Sequence, residues 1–352
     1  MPAPCAISAR APLVGLALLL ASAACGARTG LEVQPGPPLD AGGGADAVVA
    51  GACTSGVVTL VSGQYATSHR VPGAIALDAT RIYWIDAGDA VTGMGSVRSV
   101  SKCGGPVQTL ASGLYYPTSL GVNAATVFWA DAGDSGHSVL GGIFAVPAAA
   151  GAVATLVSEY DSMRVAVDAQ SVYWTNPAMA SVERVPQAGG AATTIASETH
   201  GPESIALDDT HVYWTAAGSV LRAPKAGGAP VTLASGTTLA YGLAVDGTYA
   251  YYQAGDGSGY GTLTRVAIDG SGGPPLALAP TAVTGLAVDA TSVYWTDNGG
   301  GRRGAGNVLR IARTGGNPVT IATVQSSAVA GIAVDDTSVY WVNDREIMKA
   351  PK

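Results

Sequence analysis

One phrase occurs seven times in this chain, and its spacing limits the fold more than any other feature. The copies read AIALDATRIYWID (74–86), LGVNAATVFWAD (120–131), VAVDAQSVYWTN (165–176), IALDDTHVYWTA (205–216), LAVDGTYAYYQA (243–254), LAVDATSVYWTD (286–297) and IAVDDTSVYWVN (332–343). All six tryptophans, Trp84, Trp129, Trp174, Trp214, Trp295 and Trp341, share one slot, which Tyr252 fills in the fifth copy. The slot recurs on average every ~43 residues, a period of propellers and solenoids, whose units cannot bury an apolar face alone.

Each copy predicts a β-hairpin. A short apolar run such as 331–335 leads into a second strand, 338–343, through Asp335-Asp336-Thr337, where an Asp side chain can hold the backbone two residues on. A third strand follows with the pattern aliphatic-x-basic, ending at Arg184, Arg222, Arg265, Arg310 and Lys349, and four copies then turn at Gly-Gly. A fourth strand, such as 107–112, completes the unit. The last repeat has no fourth strand, whereas a surplus strand, 57–62, precedes the first phrase. A circular array can use that strand, an open one gains nothing from it, and closure removes exposed sheet edges. The expected fold is all-β: a seven-bladed β-propeller of four-stranded antiparallel blades, the last closed by residues 57–62 pairing with 345–350.

Tyr294-Trp295-Thr296-Asp297 spells YWTD in full, and 173–176 and 213–216 keep three of its letters. On these residues and the aliphatic-x-Arg strand the chain, over about 74–350, resembles the YWTD-repeat propellers of low-density-lipoprotein-receptor-type extracellular proteins. That family has six blades where seven phrases stand here, and the acidic fourth letter persists only as Asp86, Asp131 and Asp297. The resemblance implies an extracellular protein-binding propeller without catalysis.

At the N-terminus, Arg10 precedes an apolar run, 11–24, that is too short to span a bilayer and has the layout of a secretory signal peptide. Ser22-Ala23-Ala24-Cys25 resembles the lipobox of bacterial lipoproteins, with Ser22 where that family usually has Leu; this makes Cys25 the lipid attachment site. The other reading is cleavage after Ala23, leaving a soluble protein. Residues 25–52, with PGPP and AGGGADA, read as a flexible linker after the candidate lipid site, and 53–352 as the propeller. The expected protein is a monomer exported to the periplasm or cell surface and lipid-anchored to a bacterial membrane. Cys53 and Cys103 form an even pair in an oxidising compartment and are a candidate disulfide. They occupy equivalent repeat positions, too far apart on neighbouring blades for the usual Cα separation of under about 7 Å unless the segment around Cys53 is slack. Both outcomes stay open.

Charged residues are 12% of the chain and hydrophobic ones 48%, so most strands are buried on both faces. A net charge of −7 without basic clusters argues against nucleic acid. The hairpin turns are short and uniform, whereas the loops between strands two and three and between repeats vary; both variable sets emerge on one face, where a rigid scaffold carries function. Candidate binding residues there are Tyr116, Asp131, Asp134, His137, Arg164, Glu203, Tyr241, Asp297, Arg302 and Arg303, a Tyr and Arg chemistry suited to protein or polysaccharide contacts. The Trp set reads as inter-blade core. The acids Asp78, Asp168, Asp208, Asp246, Asp289 and Asp335 read as turn structure, and the third-strand basic series as structural ion pairs. No metal or cofactor is expected: Asp-Ala-Gly-Asp at 86–89 and 131–134 and the 255–258 loop offer calcium-type oxygens, but no D-x-[DN]-x-[DN]-G loop occurs. G-x-S-x-G, H-E-x-x-H and phosphate-loop motifs are missing too. The expected function is a non-catalytic scaffold binding a protein or polysaccharide through its variable-loop face. The alternative is a divalent-metal-dependent propeller hydrolase or lactonase with the ion in the central funnel.

Overall fold

The computed structural model describes residues 47–48, 56–63, 74–86, 94–123, 125–133, 139–159, 161–197, 200–237, 239–255, 261–271, 275–298, 306–324, 329–343 and 346–352. Contacts divide the chain into Met1–Gly42, outside the described residues, and Gly43–Lys352, which holds every described element. The signal peptide, Cys25 and Cys53 therefore also lie outside the described residues.

Each phrase builds one antiparallel sheet whose strands lie side by side in chain order. Blade one comprises Ile75–Leu77, Arg81–Asp86, Gly95–Ser101 and Gln108–Leu114. Blade seven comprises Ile332–Val334, Ser338–Val342 and Glu346–Pro351, completed by Val58–Ser62. The closing strand runs antiparallel to the third, with Val58 opposite Lys349 and Ser62 opposite Glu346, as the unequal chain ends predict. First strands of successive blades pack against each other, and that of blade seven meets that of blade one, so the ring is closed. Ala47–Val48 adds a fifth strand to blade seven by pairing with Val61 and Ser62, within the stretch expected to be linker. The outer edge of the closing strand offers unpaired backbone groups to any segment that follows it back. In all seven blades the third and fourth strands slip register, once in six blades and twice in blade one, a bulge that adds twist to the outer edge.

The adjacent Tyr and Trp of the phrase serve two different interfaces, because successive side chains of a strand face opposite ways. Tyr340 of blade seven packs in one cluster with Trp84 of blade one, Tyr83 with Trp129, Tyr173 with Trp214 and Tyr294 with Trp341. Phe128 meets Trp174, Tyr213 meets Tyr252, and Tyr251 meets Trp295, which completes seven interfaces. Every tryptophan is at most 1% exposed. The Trp set is inter-blade core, one large ring filling each wedge between twisted sheets.

The repeated acid locks its hairpin and then reaches across to the next blade. Asp335 Oδ1 accepts the N–H groups of Thr337 (3.0 Å) and Ser338 (2.9 Å), while Oδ2 accepts the Tyr340 hydroxyl at 3.0 Å. Asp78, Asp168, Asp208, Asp246 and Asp289 repeat the pattern. Four of these acids are also paired with a cation just past the third strand of the following blade: Lys225 with Asp168 (2.8 Å), Arg313 with Asp246 (2.6 Å), Lys352 with Asp289 (2.5 Å) and Lys102 with Asp335 (2.9 Å). Three of the lysines also lie over the Tyr ring of that preceding blade.

The third-strand basic series does not supply these ion pairs, contrary to the sequence expectation. Arg184 donates to the Lys225 carbonyl (2.8 Å), Arg222 to that of Asp269 (3.3 Å), Arg265 to that of Arg313, and Lys349 to that of Lys102 (3.2 Å). Each long side chain ends beside the next blade's turn, where a carbonyl is the acceptor within reach. Cys103, in the Lys102 turn, is disulfide-bonded, and the other three cysteines lie outside the described residues. Val58 faces Lys349, and Lys349 touches Lys102, so the entry of the closing strand runs beside the Cys103 turn.

Candidate functional site

The hairpin-turn face is occupied by its own hydrogen bonds. On the other face the first strands enter the ring, and their opening residues surround a cavity of about 750 Å³ at the mouth of the central channel, to which all seven blades contribute. The position nine residues before the Trp slot carries Ile75, Leu120, Val165, Ile205, Leu243, Leu286 and Ile332, a complete aliphatic ring. The position ten residues before it is Ala74, Ser119, Ser204, Gly242, Gly285 or Gly331 in six blades, and Arg164 in blade three. Six small residues leave the channel open, and one arginine extends into the space.

The rim is tied together by hydroxyl groups. Thr175 Oγ1 donates to the Glu203 carbonyl (3.3 Å), Thr296 Oγ1 to that of Ala330 (2.8 Å) and Thr118 Oγ1 to that of Ser162 (3.1 Å), each time from one blade to the next. In blades three and six the Thr of the repeated phrase is thus a blade-to-blade tie. At Gly285 the approach is so close that a Cβ would sit 2.9 Å from Thr296 Oγ1 and 3.0 Å from the Ala330 carbonyl. A rim held in this way presents side chains at fixed positions.

Arg164 is partly buried in the cavity wall. Its backbone N–H donates to Thr175 Oγ1 at 3.2 Å, and its guanidinium makes one long hydrogen bond, 3.4 Å from Nη1 to the Thr118 carbonyl. Among the described residues no carboxylate stands within ion-pair distance of it. Burial pulls its pKa down and the charge of Glu203 opposes that pull; a guanidinium nevertheless stays protonated. Glu203 lines the same cavity from blade four, where burial pushes its carboxyl up and Arg164 draws it back. Glu203 keeps solvent contact, which screens both effects.

Of the ten residues expected to bind, the cavity brings together Arg164 and Glu203. Asp131 is instead a buried clasp: Oδ1 accepts the N–H groups of Tyr116 (3.0 Å) and Gly133 (2.9 Å), and burial pushes its carboxyl up while those bonds lower it. Asp297 of blade six is engaged in a similar way with the end of blade five, accepting the Thr281 hydroxyl at 2.6 Å, which in turn accepts the Trp295 indole N–H at 2.9 Å. Neither acid lines the cavity, nor does Tyr116. Tyr241 stands at a first-strand position beside Gly242, its side chain outside the description. Asp134, His137, Arg302 and Arg303 lie outside the described residues.

Ser204 and Thr284, which stand at strand entrances but were not among the residues expected to bind, add hydroxyls to the lining. Glu159 was also unforeseen. It accepts hydrogen bonds from Ser162 (2.7 Å) and the Trp174 indole, and burial pushes its carboxyl up, but it stays out of the cavity lining. Among the described residues no three His, Cys, Asp or Glu side chains converge on a metal-sized site.

Fold and channel define a seven-bladed β-propeller whose described channel lining carries one basic and one acidic side chain. No family model matches the chain, and no curated protein matches it at a significant level. Among solved structures it is similar to virginiamycin B lyase from Staphylococcus aureus, with 12% identity and a TM-score of 0.64 over 83% of this chain and 98% of that one. A streptogramin B lyase aligns at 12% identity and a TM-score of 0.61, over 79% and 92% of the two chains. A chain of the nidogen/laminin complex aligns at 19% identity over 62% and 85%, with a TM-score of 0.48. At such identities the likeness is one of fold.

Proposed function

We propose that this chain is an exported binding propeller that holds a protein or polysaccharide partner on its variable-loop face, centred on the channel mouth. The observation that carries the reading is the break in repeat symmetry at Arg164. Six blades carry a small residue at that position, so the one guanidinium there, tied to the fold by a single long hydrogen bond, departs from the repeat. It is held in a rigid rim, has one weak hydrogen bond and is available to an incoming acceptor. Export and lipid anchoring through Cys25 belong to the same proposal, supported by the apolar run and the Ser22–Cys25 sequence.

The rival reading, a metal-dependent hydrolase or lactonase in the funnel, needs several acidic or amide ligands converging from different blades. The described cavity lining contributes one carboxylate, Glu203. The structural likeness to two lyases, at 12% identity, speaks for the fold alone.

The test is a protein and glycan array probed with the full chain, with Arg164→Gln, and with Arg222→Gln as a variant of the opposite face. Signals lost in Arg164→Gln and kept in Arg222→Gln support the reading. The reverse pattern, or a stoichiometric divalent ion in the purified protein together with hydrolase activity, overturns it.

A further inference from the structure

The proposed recognition site can be taken a step further, to the chemistry of what enters it, on the assumption that the channel mouth is where binding occurs. Two charges of opposite sign line one cavity from adjacent blades, yet Arg164 and Glu203 do not close into a pair within 4.0 Å. A guanidinium and a carboxylate with freedom to meet would normally do so at the surface, since each gains a charge-assisted hydrogen bond. Here the backbone ties from Thr175 to both Arg164 N–H and the Glu203 carbonyl fix the two strand entrances. The charges therefore stand apart across a gap. Below them lies the aliphatic ring contributed by all seven blades.

A ligand with one anionic group alone would approach Arg164 against the field of Glu203, and a cation alone would meet the opposite difficulty. A zwitterion satisfies both and leaves no buried charge unmatched. The apolar floor beneath selects a hydrophobic body attached to those two charges, and a cavity of about 750 Å³ has room for more than a single amino acid. We infer that the channel mouth binds a free apolar α-amino acid or short apolar peptide, its carboxylate on Arg164, its ammonium on Glu203 and its side chains on the aliphatic ring. Hydroxyls of Ser119 and Ser204 line the same space and suit the peptide groups between the termini, whereas that of Thr284 is given to the Val329 carbonyl at 2.7 Å.

Calorimetric titration of the full chain with leucine, dileucine and trileucine, their N-acetyl forms and their C-terminal amides reads the two contacts separately. Free-ended ligands are expected to bind, with each capped form weaker by about tenfold or more, the effect of losing one charged hydrogen bond. Arg164→Gln is expected to erase the difference between free and amidated ligand, and Glu203→Gln the difference between free and acetylated ligand. Thermal melts that match the parent show that both variants are folded, and Arg164→Lys, which retains the charge, should keep part of the binding if a variant is not. Leucine against trileucine separates the amino acid from the peptide. Equal binding of the acetylated and free forms by the parent chain would overturn the inference in favour of a simple anion site. Failure of every amino acid and peptide to bind, while an array partner still depends on Arg164, would overturn it and leave the recognition face in place. If neither small nor large partners respond to Arg164→Gln, both readings fall.

Discussion

Lys102 Nζ lies 2.9 Å from Asp335 Oδ2, so a lysine of the first blade holds the acid that locks the first hairpin of the last. The contact spans the seam where the ring closes, and both side chains are largely shielded, at 13% and 22% exposure. Breaking it leaves a partly desolvated carboxylate with only its turn and Tyr340 bonds. Lys102→Met is expected to lower stability by about 1–2 kcal/mol, the usual scale for a hydrogen bond to a charged group. A double-mutant cycle with Asp335→Asn, read by chemical denaturation, isolates the pair. A coupling near zero would show that the closing strand alone secures the seam.

The same carboxylates make stability depend on acid. For Asp168, burial raises the pKa, but Lys225 together with the turn N–H groups and Tyr173 outweighs it and brings the value down to about 2; Asp289 and Asp335 are lowered further, with Lys352 and Lys102 as their main stabilising partners. A folded-state pKa below the unfolded value of 3.8 gives stability that is present above that value. It is lost as pH falls through the folded-state values. Urea midpoints are therefore expected to hold steady above about pH 5 and to fall from about pH 4 downward. In Lys225→Met the fall should be shallower; an unchanged slope would remove Asp168 from the account.

Trp295 is 1% exposed, packs with Tyr251 of the preceding blade and donates its indole N–H to Thr281. Trp295→Ala combines lost burial with a cavity that the closed ring resists collapsing, for an expected cost of about 3–5 kcal/mol. Equilibrium unfolding measures it. A cost below about 1 kcal/mol would mean that the blades tolerate slippage at this interface.

Much of this architecture was legible because repetition converts single residues into statistics. Seven occurrences of one phrase gave the blades, and the unequal chain ends gave the pairing of 58–62 with 346–349. The inter-blade cations were misassigned for a geometric reason. Sequence spacing places Arg184 and Lys225 in two similar basic positions, and only the offset between neighbouring blades decides that Lys225 meets Asp168 while Arg184 meets a carbonyl. Asp131 and Asp297 read as binding candidates because their acceptor role depends on N–H and hydroxyl groups of Tyr116, Gly133 and Thr281, at positions that do not repeat in sequence. Arg164 stood out in sequence as a charge at a strand entrance. The small residues at the equivalent positions of the other six blades also stand in the sequence, but that all seven line one cavity emerges only from the structure.

Membrane attachment is a proposal that fractionation decides. Lipid on Cys25 together with a linker would tether the propeller, whereas cleavage after Ala23 would release it. Cys25→Ala is expected to move the protein from the membrane to the soluble extracytoplasmic fraction. A parent protein already soluble after export would remove the anchor and leave the binding reading intact.

Blade two provides the sharpest test of the inter-blade latch, because there both partners change together. Asn123 replaces the acid, Phe128 replaces the tyrosine and Gln187 occupies the place of the cation, and Asn123 Nδ2 donates to Gln187 Oε1 at 2.8 Å. A neutral amide pair thus stands where blades three and seven use an ion pair. Asn123→Asp alone puts a carboxylate opposite the Gln187 carbonyl oxygen, and Gln187→Lys alone puts an ammonium opposite the Asn123 amide; each is expected to cost about 1 kcal/mol through the lost hydrogen bond. Asn123→Asp with Gln187→Lys recreates the pairing of Asp168 with Lys225 and is expected to recover most of that loss. The thermodynamic cycle measured by urea unfolding should return a favourable coupling of about 1 kcal/mol, screened by added salt. Additive costs in the double variant would show that the latch depends on the missing Tyr hydroxyl, which Phe128 cannot supply, rather than on the charge pair.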